Sequence, residues 1–164
     1  MVGDFGCSMN IRNICPDDYQ QIITILDEWW GGRKMSDMLP KLFFVHFCET
    51  SFIAETDQEI TGFLIGFLSQ TYSDEAYIHF LGVHPKCRKQ GIGRLLYEHF
   101  FKTVRKFGRI RVRCVTSEIN TNSIAYHLRM GFKIESSDCK YNSISYYPNY
   151  DGSGQNRVLF VKQL

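Results

Sequence analysis

From Met9 to Ile14 apolar and polar positions alternate, Met9 and Ile11 against Asn10 and Arg12, which is the two-residue period of a strand. Pro16-Asp17-Asp18 then reads as a helix start, its early acids suited to the positive end of the helix dipole. Ile22, Ile23, Ile25, Leu26, Trp29 and Trp30 supply the apolar face of that helix, and Gly31-Gly32 stops it. Ser36 or Asp37 is placed to cap a second, aromatic-rich helix over 38–47. Residues 51–56 and 59–69 predict two strands joined as a hairpin at Asp57-Gln58, with Gly62 and Gly66 marking bends or bulges. After a turn at 71–74, the mostly apolar run 75–83 predicts a central strand. Ile92, Leu95, Leu96, Phe100, Thr103, Val104 and Phe107 fall on one stripe of a helix over 92–106, closed by Gly108. Ile110, Val112 and Cys114 then alternate with Arg109, Arg111 and Arg113 as a further strand. Thr121 or Asn122 opens a short helix through Arg129, Gly131 closes it, and a strand follows over 132–135. The tyrosine-rich stretch 136–156 reads as an extended loop before a last strand over 157–162. This order predicts a mixed α/β domain built on one sheet.

The totals narrow the picture. A chain of 164 residues, 44% of them hydrophobic, is long enough for one domain with a real core. No apolar run approaches the roughly 20 residues of a membrane-spanning helix. Cysteines at 7, 15, 48, 87, 114 and 139 form no C-x-x-C pair, and several lie in apolar segments, so they read as reduced core residues. The opening residues lack the cationic and apolar regions of a signal peptide. Together these features predict a cytoplasmic protein with no metal and no membrane partner. A net charge of +2 does not argue for nucleic acid. The cations from Lys102 to Arg113 read as a solvated helix face and an exposed strand face.

A second cationic group, Lys86, Arg88, Lys89 and Arg94, surrounds a glycine-bearing turn between the strand ending at Val83 and the helix from Ile92. Such a turn offers free backbone N–H groups and a positive dipole end to an anion, usually a phosphate. It lacks the G-x-x-x-x-G-K-[S/T] of a P-loop, and Leu96 breaks the G-x-G-x-x-G of a dinucleotide fold. What remains is R-x-x-G-x-G from Arg88 to Gly93, directly after V-x-P at Val83-His84-Pro85.

This motif resembles the acyl-CoA signature of the GNAT superfamily of N-acetyltransferases. The later block from Asn120 to Phe132, with Ser123, Tyr126, His127 and Gly131, is similar to that family's N-x-x-A/S-x-x-F/L-Y-x-x-x-G-F segment. The resemblance implies one N-acetyltransferase domain over 1–164. Its expected fold is a mixed α/β (α+β) GNAT-like one, with a mostly antiparallel sheet of about six or seven strands flanked by about four helices. It implies acetyl-CoA as co-substrate and a primary amine of a small molecule or peptide as acceptor. The backbone from Gln90 through Gly91, Ile92 and Gly93 to Arg94 would hold the pyrophosphate, with Arg88 and Lys89 adding charge. Leu81, Gly82 and Val83 would pair with the pantetheine arm, and the Val83 amide would stabilise the oxyanion. Asn120, Ser123 and Tyr126 complete the implied coenzyme set.

For proton transfer the family commonly places a tyrosine four residues before the G-F pair. Here His127 stands there, with Tyr126 beside it, and either is a candidate acid. Glu75, Tyr77 and His79 share one strand face by period two, and Glu75 and His79 are the candidate bases. Val115 stands where family members that act on ribosomal-protein N-termini carry a glutamate, which weakens a protein-N-terminus substrate. Acceptor contacts are expected from Trp29, Trp30, Arg33, Tyr150 and Asp151, where aromatics beside an acid suit a cationic amine. A homodimer is common in the family. The rival reading is a non-catalytic acyl-CoA-binding sensor of the same fold, kept open by the missing tyrosine.

Overall fold

A computed structural model describes residues 8–164, so Cys7 and the opening segment lie outside the described residues. The strands are β1 (Met9–Asn13), β2 (Phe52–Thr56), β3 (Glu59–Leu68), β4 (Glu75–Val83), β5 (Arg111–Thr116), β6 (Lys133–Ile134), β7 (Lys140–Tyr141), β8 (Ile144–Ser145) and β9 (Val158–Gln163). The helices are α1 (Asp18–Trp29), α2 (Leu42–His46), α3 (Ile92–Lys106) and α4 (Thr121–Arg129). Seven strands form one sheet in the order β1-β2-β3-β4-β5-β9-β6, while β7 and β8 pair separately. The β4–β5 ladder is parallel, and the β1–β2, β2–β3, β5–β9 and β6–β9 ladders are antiparallel. The mixed, mostly antiparallel fold with four helices is the one the sequence predicts. No described helix is long and apolar enough to cross a membrane.

The described chain falls into two compact units, one running to Phe67 and resuming over Phe80–Thr103, the other made of Leu68–His79 and Val104–Leu164. The first has an aromatic core. Ile22, Leu26 and Trp29 form the inward stripe of α1 and join Ile53, Phe63, Ile65 and Phe80 from the strands. Fully burying a side chain of this size stabilises by roughly 1.5–3 kcal/mol. At the start of α1, Asp18 is a buried anchor: its carboxylate takes the Cys15 N–H at 2.7 Å and two Arg12 donors at 2.7 and 2.9 Å. At the end, Gly31 and Gly32 turn back onto the carbonyls of Glu28 and Asp27. The Asp27 carboxylate accepts from the Met35 and Ser36 amides at 2.8 Å each, fixing the loop that follows.

The predicted helix over 38–47 is broken. A 3-10 turn at Ser36–Met38 is followed by Leu39 at φ −129°, ψ 66°, and only Leu42–His46 is α-helical. The residue before a proline is pushed out of the helical region, and Pro40 does this to Leu39. The β2–β3 hairpin turns at Asp57 and Gln58, both at positive φ, and its register shift beside Gly62 leaves Thr61 as the bulged residue.

In the second unit, Val112 and Cys114 of β5 and Val158 and Phe160 of β9 are buried. Three expectations change here. The "loop" 136–156 contains the β7–β8 hairpin, turning at Asn142 and Ser143, both left-handed. Arg111 and Arg113, read as an exposed strand face, are committed to ion pairs with Asp74, Glu75 and Glu135. Of the described cysteines only Cys114 is buried; Cys15 is exposed and Cys48, Cys87 and Cys139 are intermediate.

Candidate active site

β4 sets the geometry. Its even positions Ala76, Ile78, Phe80 and Gly82 are buried, while Tyr77, His79, Leu81 and Val83 are half-buried on the other face. It pairs with β5 only over Glu75–Tyr77 against Arg111–Arg113, among the described residues. The stretch from Ile78 to Val83 therefore leaves that ladder. Gly82 is needed for packing, since a Cβ there would lie 2.5 Å from the Phe63 ring.

The turn after β4 is held from several sides. The His84 N–H donates to the Thr61 carbonyl at 2.9 Å, and His84 Nδ1 accepts the Lys86 N–H at 3.1 Å. The Arg88 guanidinium donates to the Val83 carbonyl at 3.2 Å and to the Trp29 carbonyl at 2.5 Å. Arg88 thus ties the turn to the ends of β4 and α1, a use the sequence did not reveal. Lys89 and Gly91 are left-handed, at φ 67° and 84°. The Leu95 N–H reaches back to the Gly91 carbonyl at 3.0 Å, so the amides of Ile92, Gly93 and Arg94 precede the helical ladder. Lys86, Lys89, Gln90 and Arg94 are exposed around them. Arg94 also pairs with Glu98 at 2.7 Å.

In the second unit the motif helix α4 begins at Asn120, whose side chain accepts the Ser123 N–H at 3.2 Å. Asn120 is the cap, and Thr121 opens the helix as the sequence predicts. His127 is buried at 8% exposure, stacked on Phe160 at 4.7 Å and edge-on to Phe132 at 5.6 Å. Its Nδ1–H donates to the Ser123 carbonyl at 2.7 Å. Burial pulls the imidazole pKa below its ordinary value, and that hydrogen bond opposes the shift. Its nearest described neighbours are thus those of a packed core histidine. Tyr126 is half-buried with the Arg129 guanidinium 5.6 Å from its ring centre.

A cavity of about 310 Å³ opens in the same unit, lined by Tyr72, Glu75, Tyr77, Arg113, Glu135 and Tyr150 among others. Glu75, 6% exposed, is bound by Arg113 at 2.8 Å, with Arg111 Nε at 3.8 Å. Arg113 also pairs with Glu135, and Arg111 with Asp74. Burial pushes the Tyr77 phenol pKa well up. Of the acceptor residues expected from sequence, Tyr150 lines this cavity, while Asp151 is engaged by Arg157 at 2.6 Å. Trp29, Trp30 and Arg33 belong to the first unit. Trp29 is 3% exposed against Phe63 and His84, Trp30 is half-buried against Phe80, and Arg33 is exposed. Sequence reasoning passed over Tyr72, Arg113 and Glu135. Only the alternation of arginines in β5 hinted at them, and nothing in it announced their carboxylate partners.

The sequence matches the model of the Acetyltransferase (GNAT) family over residues 17–132. The chain belongs to the GNAT acetyltransferase family. Ard1 from Thermoplasma volcanium superposes on this GNAT chain with a TM-score of 0.76 at 20% identity, covering 95% of this chain and 97% of the other. The ribosomal-protein-S18-alanine N-acetyltransferase from Escherichia coli gives 0.66 at 19% identity, over 95% and 94%. The Salmonella typhimurium protein yncA, solved with its cofactor acetyl-CoA, gives 0.68 at 18% identity, over 95% and 94%. These likenesses concern the fold. No curated protein matches by sequence.

Proposed function

We propose that this GNAT chain, acting as one N-acetyltransferase domain, transfers the acetyl group of acetyl-CoA to a primary amine of a small molecule or peptide by direct attack. The observation that carries the reading is the turn after β4, where three amides at the start of α3 and a ring of exposed cations follow a strand that has left its neighbour. A Cβ at Gly91 would meet nothing within 4 Å, so the turn has room for a phosphate against its backbone. The amides of Ile92, Gly93 and Arg94 hold the pyrophosphate, and Lys89 adds charge. The backbone of Leu81 to Val83 pairs with the pantetheine arm as an added strand does.

Acetyl-CoA supplies an activated thioester carbonyl. The Val83 N–H stabilises the negative charge that grows on that carbonyl oxygen as a neutral amine adds to it. His79, four residues earlier on the same face of β4, takes the proton the amine must lose. Tyr126 gives a proton to the departing thiolate. It replaces His127 in that role because the His127 ring is buried, stacked on Phe160 and edge-on to Phe132.

Enclosure of His127 also favours a second reading, an acyl-CoA-binding module without turnover. Free-thiol release from acetyl-CoA across a panel of amines separates the two. Amine-dependent release is expected; coenzyme binding with no release for any amine would favour the module.

A further inference from the structure

The cavity of the second unit carries an unbalanced charge. Glu75 and Glu135 share one lining guanidinium, that of Arg113, whose Nε is on Glu75 at 2.8 Å and whose Nη1 is on Glu135. Arg111 approaches Glu75 only to 3.8 Å and is committed to Asp74. The lining therefore holds two carboxylates against one cation. An anion entering it would meet both carboxylates, with two of the Arg113 donors already spent. An ammonium group would meet a surplus carboxylate beside Tyr72, Tyr77 and Tyr150, a lining of acid and aromatics. The two acids are not equivalent, because the Glu135 side chain keeps 26% exposure against 8% for Glu75. Glu135 is the acid a ligand reaches, and Glu75 fixes Arg113 behind it.

A nitrogen held as an ammonium by a carboxylate is a poor nucleophile, since the attacking amine must be neutral. The group that fits this cavity is therefore a nitrogen other than the one acetylated. We infer that the acceptor carries two amino groups, as an aliphatic diamine or dibasic amino acid does, and that this cavity holds its charged, non-reacting nitrogen with Glu135 as the specificity-determining residue. The inference rests on the acetyl-transfer reading for the fate of the second nitrogen. The cavity's choice of a cation is independent of it.

The test uses the full chain and two probes, 1,4-diaminobutane and n-butylamine, by calorimetric titration without coenzyme and by thiol release with acetyl-CoA. The diamine is expected to bind and to react at least about tenfold better than the monoamine, the scale of one charge-assisted contact. Glu135→Gln, which keeps a hydrogen-bonding side chain beside Arg113, is expected to erase that preference, and Glu135→Asp to restore part of it. A merely structural Glu135 would alter melting temperature but not the diamine-to-monoamine ratio. Equal handling of both probes, tighter binding of succinate than of diamine, or an unchanged ratio in E135Q would overturn the inference while leaving acetyl transfer standing. Glu135-dependent diamine binding without thiol release would uphold the cavity's cation preference and sink the transfer reading.

Discussion

At the turn between β4 and α3 the groups offered to a ligand are backbone amides, contiguous in sequence and set by left-handed residues at 89 and 91. In the cavity of the second unit they are side chains, brought from β4, β5, the end of β6 and two loops. The first kind of site carries partial charges that do not titrate, and its shape depends on a single backbone path. The second depends on ion pairs, so it responds to pH, to salt and to the loss of any one member. On the reading proposed above the two kinds suit different tasks: a turn for the invariant part of the reaction, a side-chain cavity for the choice of acceptor.

The contrast can be broken first at Gly91. Gly91→Val places a β-branched residue at φ 84° in open space, so the chain must leave the left-handed region or pay roughly 1–2 kcal/mol to stay. Coenzyme A affinity measured by calorimetry is expected to fall about 100-fold, the scale of losing two or three charge-assisted contacts, while the far-ultraviolet circular dichroism spectrum stays that of the wild type. Diamine binding to the cavity should be untouched. Next in size is Arg113→Ala, which strips the buried Glu75 of its closest cation. Chemical denaturation should show a loss of about 2–3 kcal/mol, tempered by the partial exposure of the arginine, with coenzyme affinity within twofold of wild type.

A smaller effect calibrates the first. Gln58 occupies a left-handed position at φ 68° in the β2–β3 turn. Gln58→Gly should therefore stabilise by about 0.5–1 kcal/mol in the same denaturation assay, giving the conformational part of the Gly91→Val effect without any ligand. The smallest is a pH dependence. Burial holds the His127 pKa below its unfolded value, so its contribution to stability is fully present above the unfolded value and lost as pH falls through the folded one. Wild type should lose stability on going from about pH 7 to about pH 5, near the ordinary histidine range, more steeply than His127→Phe. Identical slopes would contradict the burial argument.

The same division governs what could be read from the chain alone. The strand 75–83, the helix 92–106 and the turn joining them were legible because apolar period, glycines and cations are all local signals. The aromatic pattern over 38–47 suggests one helix, and Pro40, which turns Leu39 out of the helical region, is the local signal against it. The β7–β8 hairpin escaped because its strands are two residues long and its turn uses Asn142-Ser143 without a glycine. That the Asn120 side chain caps α4 is not legible in the chain alone, since a motif asparagine looks the same whichever group it contacts. The cavity was illegible for a stronger reason. The pairing of Arg113 with Glu75 and Glu135 depends on the register of β5 between β4 and β9, which no local pattern in Arg109 to Cys114 encodes.

The central claim is that the turn after β4 holds coenzyme A for acetyl transfer. The direct measurement is thiol release from acetyl-CoA with 1,4-diaminobutane, compared between wild type and Gly91→Val. Amine-dependent release by wild type and a loss of about 100-fold in kcat/KM for acetyl-CoA in the variant are the predicted result. Undiminished release by Gly91→Val would contradict it.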